Sequence, residues 1–136
     1  YPVHPSPAVR ELAKKYLKHP KIHLVEPMNP IEFYRAMNES FFIATDSGGV
    51  QEEAPALGKP VLVLRETTER PEGVEAGTLK LIGTEENDVY RAMATLLTDE
   101  AAYTRMAKAV NPYGDGHASE RICAHLLDYF QQKEDA

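Results

Sequence analysis

Phe41-Phe42-Ile43-Ala44-Thr45-Asp46-Ser47-Gly48-Gly49-Val50-Gln51-Glu52-Glu53-Ala54 is the stretch that decides the fold. Phe41 to Thr45 is an apolar run that predicts a buried strand. Asp46 to Gly49 is a turn, and a helix runs from there to Leu57, with Val50, Ala54 and Leu57 on one face. Gly58 ends that helix, and Pro60 sits just beyond it. Pro55 removes one bond of the helical ladder, which predicts a kink or a short helix. Val61 to Leu64 is a continuous aliphatic run, as in strands of a parallel sheet covered on both faces.

Working outward, strand and helix periods keep alternating. Downstream, Arg65 to Gly73 reads as a charged loop and Thr78 to Ile82 as a strand. Helices are expected over Glu85–Leu97 and Asp99–Val110, the second capped by Asp99 or Thr98. Asn111-Pro112-Tyr113-Gly114-Asp115-Gly116 is a loop. A last helix spans about His117 to Gln132, with Ile122, Leu126, Tyr129 and Phe130 turned inward, and Gln131 to Ala136 is expected to fray. Upstream, Pro7 to Lys18 reads as a helix with Ser6 as its cap and Val9, Leu12, Ala13 and Tyr16 on one face. Ile22 to Val25 reads as a short strand. Asn29 caps a helix over Pro30–Asn38 whose apolar face is Phe33, Tyr34 and Met37. The expectation is an α/β chain: one domain, 1–136, with a three-layer, Rossmann-like parallel sheet and right-handed crossovers.

The bulk properties narrow the function. Hydrophobic residues at 43% and charged residues at 26% give the balance of a globular domain. A net charge of -6 argues against nucleic acid, which is held mainly by excess Lys and Arg. Cys123 is the single cysteine, so no internal disulfide can form and a reducing cytoplasm is the expected compartment. No apolar run is long enough for a membrane span. The chain opens on Tyr1-Pro2-Val3-His4, which reads as the tail of a strand and suggests a fragment of a longer protein.

Chemistry is expected where the strand ending at Thr45 meets its helix. Unpaired backbone N–H groups and the helix dipole favour an anion there. Gly48 and Gly49 allow a phosphate close to the backbone, and Ser47 can cap the helix or donate to phosphate. A plain strand–helix turn is the other reading of these residues. Glu53 lies beside the apolar face, where a half-buried carboxylate needs donors such as a pair of ribose hydroxyls; Glu52 points nearly opposite, as a solvated surface charge. Arg65-Glu66-Thr67-Thr68-Glu69-Arg70-Pro71-Glu72 begins at another strand's carboxyl end, and Arg70 could fork onto a phosphate or a carboxylate. His4 stands at a strand end, where a structural role is the commoner one. His19, His23, His117 and His125 show no metal-ligand spacing. Cys123 reads as a small core residue, and Gly58-Lys59 lacks the upstream glycines of a phosphate loop.

At these residues the chain resembles the bacterial non-hydrolysing UDP-N-acetylglucosamine 2-epimerases. The resemblance rests on Thr45 to Pro55, Leu57 to Val63, Thr67 to Glu72, Tyr1 to His4 and Asn111 to Gly116, in order and over nearly the whole chain. It implies the C-terminal half of a two-domain fold like that of B-type glycosyltransferases, with UDP-GlcNAc in the cleft between halves. Ser47, Gly48 and Gly49 would hold the diphosphate and Glu53 the ribose. Arg70 would line the same cleft, and Phe33 would pack near the uracil. His4 matches a histidine that helps bind a second UDP-GlcNAc as an allosteric activator. Two positions depart from the family pattern: Glu66, where Asp is frequent, and Met28, where some members carry Gln near the base.

The reaction so implied interconverts UDP-GlcNAc and UDP-ManNAc. UDP is eliminated across C1 and C2, leaving a glycal, and adds back with inversion at C2. The acid–base groups that move the C2 proton would belong to segments before residue 1, so the chain alone is expected to be inactive. The resemblance calls for no cofactor and no metal. It implies two partners, the missing N-terminal domain, on which the 117–136 helix would pack, and a second subunit in a homodimer. Rival readings are a UDP-sugar glycosyltransferase of the same plan, a hydrolysing epimerase, and a non-catalytic nucleotide-sugar-binding module.

Overall fold

Pro7 opens α1 (Pro7–Tyr16) and Pro30 opens α2 (Pro30–Glu39) in a computed structural model that describes residues 1–134. Asp135 and Ala136, the tip of the segment expected to fray, lie outside the described residues. The chain falls into two compact units, Tyr1–Glu39 and Ser40–Ala136.

In the first unit, Asn29 forms a reciprocal cap with the helix it starts. Its Oδ1 accepts from the Glu32 N–H at 3.0 Å, and Glu32 Oε2 accepts from the Asn29 N–H at 3.3 Å. Ser6 holds the N-cap position of α1, but its hydroxyl makes no capping bond. Ile22 to Val25 is not a strand. Val25 makes one parallel bridge with Pro2, through bonds from the Val3 N–H to the Val25 carbonyl (2.9 Å) and from the Val25 N–H to the Tyr1 carbonyl (3.0 Å). Of the expected α1 face only Ala13 is buried, and Leu12 and Tyr16 are exposed. Two helices and one bridge enclose too little volume to cover every apolar position. Met37 is the buried residue of α2, Phe33 is half-buried, and Tyr34 is exposed.

The second unit is built on β1 (Ile43–Thr45), β2 (Val61–Val63) and β3 (Leu79–Leu81), all parallel, in the order β1-β2-β3. Each strand is shorter than its apolar run, since flanking residues such as Leu64 turn off into loops. All three residues of β2 are fully buried, so both faces of the central strand are covered; β1, expected to be buried, is only partly so, and Ala44 and Lys80, the register partners of Leu62, are exposed at the sheet's edges. Leu62 packs with Ile82, Ala92 and Leu96, which puts α5 (Glu86–Thr98) on its face, and Met106 of α6 (Glu100–Ala107) joins the same cluster. Val61 and its register partner Leu79 point the other way. There Leu79 meets α4 (Pro71–Ala76) so closely that a Cβ on Gly73 would lie 2.5 Å from Leu79 Cδ1. The unit is therefore a Rossmann-like α/β sandwich of three layers.

The connecting helices follow local rules. α3 (Gly48–Ala56) stops one residue after Pro55, the short helix that proline predicts. Asp99 caps α6, accepting from the Ala102 N–H at 2.9 Å. Thr98 instead bonds back to the Ala94 carbonyl at 2.8 Å. The expected loop Arg65–Gly73 is a loop only to Arg70, because Pro71 starts α4 and Gly77, at φ 82°, ends it. α7 (Ala118–Glu134) departs most from expectation. Ile122, Leu126, Tyr129 and Phe130, expected to point inward, are 48–60% exposed, and Cys123, expected in the core, is exposed too. An apolar helical stripe requires a partner without naming it, and the described residues of this unit supply none.

Candidate functional site

At the carboxyl end of β1, Thr45 Oγ1 accepts the Ser47 N–H at 3.0 Å and fixes the chain as it leaves the sheet. Ser47 then takes the N-cap position of α3, yet its hydroxyl makes no bond to the helix. The first N–H groups of a helix have no partner within it. Ser47 thus offers a hydroxyl beside a row of amides. Gly49 has no heavy atom within 4 Å of where a Cβ would stand, so the approach to those amides is open.

The segment after β2 folds back over this helix start. A Cβ on Gly48 would lie 2.5 Å from Glu69 Oε1. Thr68 donates its hydroxyl to Gln51 Oε1 at 2.5 Å, and Arg70 Nε donates to Glu52. Residues 68 to 70 thereby touch three positions of α3. The Glu52 expectation is corrected here: its carboxylate is half-buried and paired with Arg70, not merely solvated. Periodicity along one helix cannot reveal a partner eighteen residues away. Arg70 thus meets a carboxylate, one of the two kinds of partner its position predicts.

Two bonds orient the Arg70 guanidinium, since its Nη1 also donates to the Glu69 carbonyl at 3.1 Å. Its Nη2 has no protein partner among the described residues. The bond to Glu52 raises the guanidinium above its usual pKa, against some loss of solvent. Glu69 is held below the usual carboxylate range, first by its own backbone and then by the charges of Arg65 and Arg70. Arg65 Nη1 donates to it at 2.7 Å. Glu53, farther along α3, is half-buried with no ion-pair partner among the described residues. It lies five residues beyond Gly48, about 7.5 Å along the axis. That is comparable with the reach from a nucleotide's diphosphate to its ribose hydroxyls.

Three residues of this region were given no role from the sequence. Gln51 is fully buried, and its signal was available, because Ala54 and Pro55, three and four residues on, share its buried face. Thr68 gave no comparable signal. Tyr113 comes from the Asn111–Gly116 loop, where Asn111 Oδ1 accepts its N–H at 3.2 Å. Its hydroxyl is buried against the Gly73 backbone, with no hydrogen bond of normal geometry. Burial pushes that hydroxyl's pKa up, and the charges of Glu72 and Glu52 push the same way.

Phe33 and His4 belong to the first unit. Phe33 is half-buried on α2; His4 is exposed and accepts the Ser6 N–H at Nδ1, 3.2 Å. A separate cleft of about 540 Å³ opens beside β3 and α5, lined by Arg65, Glu66, Gly83, Asp88 and Arg91 among others. Ser47, Gly49 and Glu53 take no part in it, and its mixed charges mark no single ligand. No cluster of His, Cys, Asp or Glu suited to a metal occurs among the described residues, and no described helix is long and apolar enough to cross a membrane.

Known proteins give a consistent match. The family model described as UDP-N-acetylglucosamine 2-epimerase covers residues 1–127. A UDP-N-acetylglucosamine 2-epimerase from Bacillus subtilis is 57% identical over 136 residues, which is 99% of this chain and 36% of that protein. Among solved structures, the S. aureus MnaA–UDP co-structure has a TM-score of 0.89 at 56% identity, covering 96% of this chain and 36% of the other. A UDP-GlcNAc 2-epimerase from Neisseria meningitidis bound to UDP-GlcNAc has a TM-score of 0.85 at 46% identity, covering 93% and 35%. The chain thus spans about a third of the length of the relatives it matches.

Proposed function

Because the chain belongs to the UDP-N-acetylglucosamine 2-epimerase family, we propose that it is the UDP-binding half of an enzyme interconverting UDP-GlcNAc and UDP-ManNAc. The observation that carries this reading is the convergence of two segments, the amide-rich start of α3 and the loop that brings Arg70 onto it. Both lie at carboxyl ends of parallel strands, where such sheets bind ligands. The diphosphate sits against the amides of Gly48 and Gly49, the Ser47 hydroxyl and Arg70 Nη2. Glu53 accepts from the ribose hydroxyls. Phe33 is assigned to the uracil and His4 to a second, activating UDP-GlcNAc.

The chemistry asks for this. Breaking the C1–O bond leaves negative charge on the departing UDP, and loss of the C2 proton completes the glycal. Donors already oriented toward the diphosphate stabilise that charge without reorganising. The Arg70 guanidinium is held for this by Glu52 and the Glu69 carbonyl. The groups that remove and return the C2 proton are assigned to the part of the enzyme outside this chain, and the exposed apolar stripe of α7 to contact with that part. A homodimer and a cytoplasmic setting belong to the same proposal.

Isothermal titration of UDP into the complete polypeptide, with Glu53→Ala and Arg70→Ala alongside, tests it. UDP affinity is expected to fall about tenfold or more in each variant, as a charged hydrogen bond is lost. Wild-type affinity in both variants would remove the nucleotide from these residues.

A further inference from the structure

Gln51 is a polar side chain with no exposed surface, and a buried amide is tolerated where its bonds are made. Its Nε2 donates to the Ser47 carbonyl at 3.2 Å, and its Oε1 accepts the Thr68 hydroxyl at 2.5 Å. Thr68 Oγ1 in turn accepts the Arg70 N–H at 3.0 Å. Three hydrogen bonds therefore run from the residue that starts α3 to the backbone of Arg70.

We propose that Gln51 and Thr68 are positioning residues for the nucleotide diphosphate, fixing the distance between the Ser47–Gly49 amides and the Arg70 guanidinium. This rests on the reading that those two segments hold UDP. Donors from both must converge on one diphosphate, and a displacement of about 1 Å can cost a reaction on the order of a hundredfold. The pair of Arg70 with Glu52 ties only the guanidinium to α3, through two partly exposed side chains. The Gln51–Thr68 relay ties the backbone instead, out of water at its Gln51 end. Gln51 touches no phosphate in this arrangement. It acts through Ser47 on one side and through Thr68 and Arg70 on the other.

Thr68→Val keeps the side chain's shape and removes its hydroxyl, leaving Gln51 Oε1 and the Arg70 N–H without partners. Thr68→Ser keeps the hydroxyl. UDP is titrated into the complete polypeptide carrying each change, with Arg70→Ala for reference and thermal melting alongside. Thr68→Val is expected to weaken UDP binding about tenfold, and Thr68→Ser to stay within about threefold of wild type. Gln51→Met, similar in length without the amide, is expected to match Thr68→Val. A lowered melting temperature with unchanged UDP affinity in Thr68→Val assigns Thr68 a structural role only and overturns the proposal, as does equal weakening by Val and Ser. If Gln51→Met does not fold, the Thr68 pair decides alone. If Arg70→Ala binds UDP as wild type does, or wild type binds none, the underlying site reading fails and the relay with it. If Arg70→Ala weakens binding and Thr68→Val does not, only the relay fails.

Discussion

Replacing Gly49 by Ala separates a glycine needed for folding from one needed for a ligand. Gly49 lies in the first turn of α3, outside the set of positive-φ glycines, and a Cβ there would meet nothing within 4 Å. The folded chain thus accepts a methyl group without strain. Alanine also narrows the unfolded ensemble, which stabilises by about 0.4–1 kcal/mol at a compatible site. For a chain of this size that is a rise in melting temperature of roughly 1–4 °C. UDP should respond in the opposite direction, because the methyl stands where the diphosphate would approach the α3 amides. Losing one charge-assisted bond to a backbone N–H costs about 1.5–3 kcal/mol, or roughly 10- to 100-fold in affinity. Gly48→Ala should follow the same pattern, since the atom its Cβ would crowd is the tip of the flexible Glu69 side chain. Melting of the 136-residue chain followed by circular dichroism, with calorimetric titration of UDP into the complete polypeptide, reads the two quantities. A Gly49→Ala protein that melts higher and binds UDP unchanged would refute the close approach of phosphate. One that melts several degrees lower would refute the claim that the position is open.

Other positions make independent tests. Gly73→Ala should destabilise the protein by about 1–3 kcal/mol, because its Cβ would press within 2.5 Å of the buried Leu79 side chain; a urea titration gives the value, and an unchanged midpoint contradicts the packing of α4 on β3. Asp99→Ala removes the bond to the Ala102 N–H and should cost about 1 kcal/mol in the same assay; Asp99→Asn should recover most of it. Asp115 is held below the usual carboxylate range, first by its bond from Arg121 and then by the His117 N–H. Its stabilising contribution is therefore present above that range and is lost as pH falls through the lowered folded value. Wild type and Asp115→Asn should differ in stability near neutrality and converge in acid; a gap that widens on acidification would reverse the sign.

How far the sequence carries depends on the range of the interaction. Val61 to Val63 announce a strand buried on both sides because the requirement is written in three consecutive residues. The cap at Asn29 and the stop at Gly58 are equally local, set by side chains and φ angles within a few positions. α4 was legible too, in Pro71 at its start and Gly77 just past its end, but the charges around it read as a loop. The junction at Ser47–Gly49 could be found because a strand, two glycines and a helix follow one another directly. What Glu52, Gln51 and Thr68 do depends on a loop folding back across seventeen or eighteen positions, and no periodicity encodes that. The stripe on α7 misled for a related reason: Ile122, Leu126 and Phe130 declare a need for burial without saying what meets it.

Cys123, the single cysteine, sits exposed on that same helix, which makes its thiol a reporter of any contact made on α7. A thiol reagent added in excess should label the 136-residue chain once, with a single-exponential time course. Any disulfide the chain forms on standing in air must join two copies, so reductant-sensitive doubling of mass on a gel reports encounters between α7 helices. If α7 makes the contact proposed for it, labelling slows in the complete polypeptide, by a factor that measures how often the helix lifts away. Unchanged labelling there would leave the apolar stripe of α7 without the contact proposed for it.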